Sequence, residues 1–162
     1  LPTIARINGH ALAGGMGLAC ACDMAVAGAT ATLGVPESGL GLFAMMILPY
    51  LPRTLPRRQL HEWCITGARW SAQEALEAGL LNYVVEPAEL DARIDWLLGR
   101  ILDKSPTAIR LGKTGFHAMQ DMSLSEAFEY AQLMLPMMAR TEDAREGFSA
   151  FREKRTPEWS GR

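Results

Sequence analysis

Residues 8–18 read Asn8-Gly9-His10-Ala11-Leu12-Ala13-Gly14-Gly15-Met16-Gly17-Leu18, and the run leads on to Cys22-Asp23. A short apolar stretch, residues 3–7, precedes it, and small apolar residues follow. The order is strand, glycine turn, helix start. Such a turn carries bare backbone N–H groups close to a ligand, with the positive end of a helix dipole behind them. Donors placed this way suit a phosphate, or an oxyanion developing on a carbonyl.

The rest of the chain narrows that choice. A nucleotide loop of the P-loop type ends in Gly-Lys-Ser or Gly-Lys-Thr, and no such tripeptide follows the turn. The glycines at 9, 14, 15 and 17 do not give the dinucleotide spacing Gly-x-Gly-x-x-Gly. A formal net charge of -2 offers no basic excess for nucleic acid. With 162 residues, 49% hydrophobic and 21% charged, the chain is long enough for a sizeable core and has a globular composition. No apolar run is long enough to span a bilayer. The first residues, Leu1-Pro2-Thr3-Ile4-Ala5-Arg6, lack a basic region before an apolar one and enter a strand at once. They suggest a chain cut from something longer. Three cysteines, Cys20, Cys22 and Cys64, argue against a disulfide framework and for a reducing, cytoplasmic compartment. Cys20-x-Cys22 has no second pair at zinc spacing, so no metal site is expected.

Two regions are expected. Residues 1–86 mix short strands, glycines and brief helices, and residues 87–162 read as helix after helix. Residues 3–7, 24–27, 31–33 and 82–85 read as strands. Gly and Pro punctuate residues 34–41 into a loop. Pro49, Pro52 and Pro56 break the next stretch into short turns; Pro56 opens a helix that Gly67 stops. Ser71 with Glu74, and Ser123 with Glu126, are capping boxes. Ser105-Pro106 and Thr141 open two further helices, and Pro136 kinks or ends the one before Thr141. The expected buried faces are Leu90, Ile94, Leu97, Leu98 and Ile101; Ile109, Gly112, Phe116 and Met119; and Leu124, Phe128, Ala131 and Leu135.

Further motifs stand in a fixed order around the glycine turn. Asn8-Gly9-x-Ala11-Leu12-x-Gly14-Gly15 is followed by Cys22-Asp23, then by Gly34-Val35-Pro36-Glu37-x-x-Leu40-Gly41. Ile65-Thr66-Gly67, Ser71-Ala72-Gln73-Glu74-Ala75 and Gly79-Leu80-Leu81-Asn82-Tyr83-Val84-Val85 come next. The end reads Glu146-Gly147-Phe148-Ser149-Ala150-Phe151-x-Glu153-Lys154-Arg155. Over essentially its whole length the chain resembles the enoyl-CoA hydratase/isomerase (crotonase) superfamily, in its C-terminal portion. The resemblance implies an α/β fold: part of a crotonase-like spiral of ββα units, then a C-terminal helical region that builds trimers.

It also implies a chemistry. Members stabilise a thioester enolate with two backbone N–H groups, and one donor falls on Gly14. Losing one such donor costs about 3 kcal/mol. The family's first glycine of the turn is Ala13 here. The second donor and most of the adenine-binding loop belong to a region outside this sequence. Hydratases of the family use two glutamates. The first belongs at the position of Gly17, which has no side chain. The second matches Glu37. One glutamate and one oxyanion hole suffice for a Δ3,Δ2-enoyl-CoA isomerase, which takes a proton from C2 and returns it to C4. The resemblance thus makes Glu37 the catalytic acid/base. It places Gly15, Gly17 and Met45 along the substrate, with Phe43 and Met46 beside Met45 as acyl-pocket or core residues. Phe151 and Lys154 match positions that approach the CoA nucleotide from a neighbouring subunit. His10 lies beside the presumed site, and Asp23 has a structural role in orienting the turn. Ser38 and Ser71 have no His and Asp partners for a serine hydrolase.

The expected partner is an acyl-CoA, as substrate rather than cofactor, in a homotrimer or hexamer. Two other readings stay open: a non-catalytic relative that binds acyl-CoA or only assembles, and a hydratase that borrows its second acid.

Overall fold

The computed structural model describes residues 1–162. Strand β1 (Ile4–Ile7) is followed by β2 (Ala11–Leu12), helix α1 (Gly14–Ala21), β3 (Met24–Gly28) and β4 (Thr32–Gly34). Then come α2 (Arg57–Thr66), β5 (Arg69–Ser71), α3 (Ala72–Glu77) and β6 (Tyr83–Val85). Helices α4 (Leu90–Leu102), α5 (Pro106–Met119), α6 (Leu124–Met138) and α7 (Glu142–Glu153) complete the chain. Short 3-10 turns cover Pro36–Leu40, Leu51–Arg53 and Pro87–Glu89. The chain separates into two compact units, one of residues 3–97 and one of residues 98–162 with Leu1 and Pro2. The division falls inside α4, whereas the sequence changes character near residue 86.

In the first unit, β1, β3 and β6 form a parallel sheet in the order β1-β3-β6. A second sheet, β2-β4-β5, pairs β2 with β4 in parallel and β4 with β5 antiparallel. Strand β3 explains why the sheet faces bury so well. Successive side chains point to opposite faces. Ala25 and Ala27 therefore enter the main core, and Val26 enters a second cluster with Leu90 and Leu97. A strand buried on both faces reads as an unbroken apolar run, as residues 24–27 do. The main core centres on Trp63, which is fully buried and stacked on Trp70 with ring centroids 4.5 Å apart. Gly67 ends α2 at φ 65°, a conformation that favours glycine, and its N–H bonds the Trp63 carbonyl. Pro56 serves as N-cap of α2, one residue before the first-turn position expected of it. Strands β2 and β5 were not expected. At two and three residues they are too short to show periodicity.

Asp23 has a structural role, but not at the glycine turn. Its carboxylate accepts the Thr3 N–H at 2.7 Å and the Thr3 hydroxyl at 2.9 Å, clasping the beginnings of β1 and β3 together. The turn lies at the other end of these strands.

In the helical unit, Ser105 caps α5 and Ser123 and Glu126 form the expected box on α6. Helix α6 runs past Pro136 to Met138, since a proline so near a helix end forfeits a single backbone bond. The buried face of α5 differs from expectation. Thr107 and Gly115 are buried while Phe116 is exposed. Gly115 faces Tyr130 and Met119, so the helices approach on that side. No residue of α6 is buried: Leu124, Phe128 and Leu135 all lie in the open.

The irregular tail is held by two carboxylates. Asp143, 2% exposed, accepts the Ser105 hydroxyl at 2.6 Å, the Ser160 N–H at 2.8 Å and the Gly161 N–H at 3.0 Å. Glu146 takes a bidentate grip from Arg155 and accepts the Glu158 N–H at 2.8 Å. The Trp159 indole N–H bonds the Asp103 carbonyl. Burial pushes the Asp143 carboxyl up, but its hydrogen bonds outweigh burial and hold it at about 2. Glu146 is held at about 2 chiefly by Arg155. Both values lie below those of an unfolded chain, so the stabilisation is complete above about pH 5 and is lost as pH falls through about 2. Thermal midpoints measured between pH 2 and 6 should fall over that window, and Asp143→Asn should lower the midpoint at pH 6 and flatten its decline.

Candidate active site

The candidate site begins where β2 ends. Ala13 N–H bonds the Gly34 carbonyl at 2.9 Å, joining the residue before α1 to the last residue of β4. Ligand sites in α/β sheets characteristically gather beyond such strand ends. Ala13 itself takes φ 51° and ψ -123°, a conformation that glycine accepts far more easily. The Ala13 carbonyl accepts the N–H groups of Met16 and Gly17 at 3.0 and 3.2 Å. The first N–H groups of a helix have no intrahelical acceptor, and at α1 these are Gly14 and Gly15, both exposed. The space beside each is empty as well: a Cβ added there would meet nothing within 4 Å.

Gly17 differs. It is buried, and a Cβ there would overlap Ile47 Cγ2 and stand 2.8 Å from Ile47 Cβ. Position 17 therefore has no room for a carboxylate side chain while Ile47 keeps its place.

Three residues beyond Gly34, Glu37 lies in the 3-10 turn Pro36–Leu40. Its Oε2 is buried and has no hydrogen-bond partner. Such a polar atom is costly unless it has work to do. Helix α2 closes on this turn. A Cβ at Gly67 would meet Ser38 Oγ at 3.0 Å and Pro36 Cα at 3.6 Å. Cys64 of the same helix feels the Glu37 charge: burial pushes its thiol up, and Glu37 adds to the rise.

The pairing of β2 with β4 thus brings Gly14, Gly15 and Glu37 to adjacent strand ends. The remaining predicted residues lie elsewhere. Met45 is exposed, as are Phe43 and Met46, so none of the three packs as core. The buried members of that stretch are Ala44 and Ile47. Phe151, in the last turn of α7, is exposed and lines an apolar groove of about 470 Å³ with Phe148, Met138 and Trp159. Lys154 is the left-handed C-cap of α7 at φ 56°. A cleft of about 430 Å³ beside β1 and α1 is lined by Arg6, Asn8, His10, Gly15 and Cys22, which gives His10 its place. Ile47 and Cys64 were missed in the sequence. Nothing local signals that either meets the glycine turn or the Glu37 loop.

Comparison with known proteins shows the family of the fold. The enoyl-CoA hydratase/isomerase family pattern matches residues 1–162, and the chain belongs to that family, with its crotonase fold. It is 37% identical to the carnitinyl-CoA dehydratase of Proteus mirabilis (strain HI4320), over 99% of this chain and 64% of that protein. The crystal structure of an enoyl-CoA hydratase from Mycobacterium smegmatis superposes with a TM-score of 0.94 at 36% identity, covering 98% of this chain and 62% of that one. That of human enoyl Coenzyme A hydratase domain-containing protein 3 gives 0.93 at 35%, covering 98% and 63%. The chain spans 64% of the length of the carnitinyl-CoA dehydratases it matches.

Ala13 supplies a test of the turn. A non-glycine residue in such a conformation costs roughly 1–3 kcal/mol. Glycine there returns part of that gain, about 0.5–1 kcal/mol, as unfolded-state entropy. Ala13→Gly should stabilise the protein by about 1 kcal/mol net, read from urea denaturation midpoints at constant slope.

Proposed function

We propose that the protein acts on an acyl-CoA thioester and shifts a double bond within it, with Glu37 as the only acid/base. The observation that carries this reading is the buried, unpartnered Glu37 Oε2, one strand over from a glycine turn with open N–H groups. Glu37 removes a proton from C2 of a 3-enoyl-CoA. The C2–H electrons form a C1–C2 double bond as the carbonyl π pair moves onto the thioester oxygen, giving a dienolate. The Gly14 N–H, backed by the α1 dipole, stabilises that oxyanion. Glu37 then returns the proton to C4, which takes it through the C3–C4 pair. The C1–C2 pair becomes the C2–C3 double bond and the carbonyl reforms, leaving a conjugated 2-enoyl-CoA. No water is consumed, and the carboxylate is restored.

In this reading Gly15 lies along the substrate, Gly17 lies behind Ile47 rather than against the substrate, and Met45 belongs to the acyl end. Phe151 and Lys154 of a neighbouring subunit belong to the CoA nucleotide, Lys154 as a point charge toward a phosphate. CoA enters as part of the substrate and no separate cofactor takes part. Three free cysteines suit a reducing compartment, and on that ground we place the enzyme in the cytoplasm. The second reading is reversible addition of water to a 2-enoyl-CoA. The names of the carnitinyl-CoA dehydratases at 37% identity favour it.

Offering 3-enoyl-CoA and 2-enoyl-CoA separately distinguishes the two. Isomerisation makes the conjugated thioester absorbance appear from the first; hydration makes it disappear from the second. Glu37→Gln should lower turnover by about 10²–10⁴-fold while leaving acyl-CoA affinity within a few-fold. A variant as active as the parent removes Glu37 from the mechanism. The exposed apolar side chains of α6 further support a homotrimer or hexamer. Sedimentation at three or six times the 17.7 kDa chain mass would support assembly, and a monodisperse monomer would contradict it.

A further inference from the structure

Gly14 and Gly17 stand one turn apart on the same face of α1. That face is open at Gly14 and closed at Gly17, where Ile47 occupies the space of a side chain. Helix side chains lean toward the N-terminus. A group at position 17 would therefore extend back toward the turn at Gly14, and Ile47 fills that volume instead. Ile47 is a fixed part of the wall. It is 7% exposed, its N–H bonds the Ala44 carbonyl at 3.2 Å, and its own carbonyl accepts the N–H groups of Tyr50 and Leu51. Leu51 is fully buried and anchors the segment.

We infer that Ile47 is a specificity-determining residue, an apolar plug beside the oxyanion turn that keeps water addition out of the reaction. The inference rests on the one-base reading above. Moving a proton from C2 to C4 needs one carboxylate and a dry surface. Adding water forms a C3–O bond and releases a proton from the water, so a second polar group must hold that molecule and accept the proton. A β-branched hydrocarbon offers it no hydrogen bond, and a water pressed against such a wall forfeits partners. With Gly17 bare and Ile47 above it, this stretch of wall has no polar side chain.

The test compares the parent protein, Ile47→Ala and Gly17→Glu/Ile47→Ala. Each is given 3-enoyl-CoA and 2-enoyl-CoA in ¹⁸O-labelled water, and labelled hydroxyacyl-CoA is measured by mass spectrometry. The parent should isomerise with labelled product near background. Ile47→Ala should raise labelled product at least tenfold, and the double variant further. A readout independent of turnover is the thermal midpoint of Gly17→Ala, alone and combined with Ile47→Ala. Alanine at 17 should lower the midpoint in the parent and have no further effect once Ile47 is truncated. An active isomerase whose variants gain no labelled product overturns the role of Ile47 and leaves the one-base reading standing. An unchanged midpoint for Gly17→Ala shows a yielding wall and also overturns it. A parent that turns over neither substrate, or hydrates as fast as it isomerises, overturns the one-base reading and the role of Ile47 with it.

Discussion

One backbone hydrogen bond ties the candidate site together: the Ala13 N–H to the Gly34 carbonyl. Strand β2 is only two residues long and would not hold a helix start in place alone. Pairing with β4 fixes it, and the bond extends that pairing by one residue into the turn. The chain must then swing from strand to helix within a single residue, which is why Ala13 is forced to a positive φ. The same β4 continues into the 3-10 turn that carries Glu37. Gly14 and Glu37 thus hang from neighbouring strands, and the strain at Ala13 accompanies that arrangement. Local strain of this kind is commonly kept where geometry matters more than stability.

Packing around the site follows from the same strands. Helix α2 abuts the Glu37 turn through Gly67, where a larger residue would press on Ser38 and Pro36. Trp63 of that helix stacks on Trp70, just before β5 ends, so the helix and the antiparallel strand brace each other. Cys64, next to Trp63, is the buried group that senses the Glu37 carboxylate. A glutamate in a 3-10 turn would otherwise be poorly held. Here its backbone is bracketed, since the Glu37 carbonyl accepts the Leu42 N–H and the Ser38 carbonyl that of Gly41.

What could be read in the sequence was what is encoded locally. The boxes at Ser71 and Ser123, the Ser105 and Thr141 caps and the Gly67 stop each depend on residues within one turn, and all appear as expected. The strand at residues 24–27 was legible because both of its faces are apolar. Contacts between distant residues were not legible. Ile47 meets Gly17 only because the segment after Gly41 folds back on α1, and no periodicity announces that. The exposure of Phe43, Met45 and Met46 was equally hidden, since an apolar run reads the same in a core and on a surface. The rotated face of α5 has a similar cause. Phe116 outweighs Gly115 in any hydrophobic pattern, yet a glycine lets a neighbouring helix come close. Glu37 stood out through family resemblance alone; a glutamate in a proline-glycine loop carries no signal of its own.

The tail after α7 has no regular structure, yet it behaves as an integral element of the helical unit. Its backbone N–H groups at Glu158, Ser160 and Gly161 spend themselves on carboxylates of α7 rather than on a ladder. Asp143 and Glu146 stand in the first turns of that helix, so the tail doubles back along it and ends at its N-terminus, where the Arg162 carbonyl takes the Asp143 N–H. An acidic side chain buried at a helix start thus acts as a mould in which an otherwise shapeless strand sets. Removing this segment would take two backbone N–H partners from the Asp143 carboxylate and leave it the Ser105 hydroxyl, so the shape of the helix start depends on the last few residues.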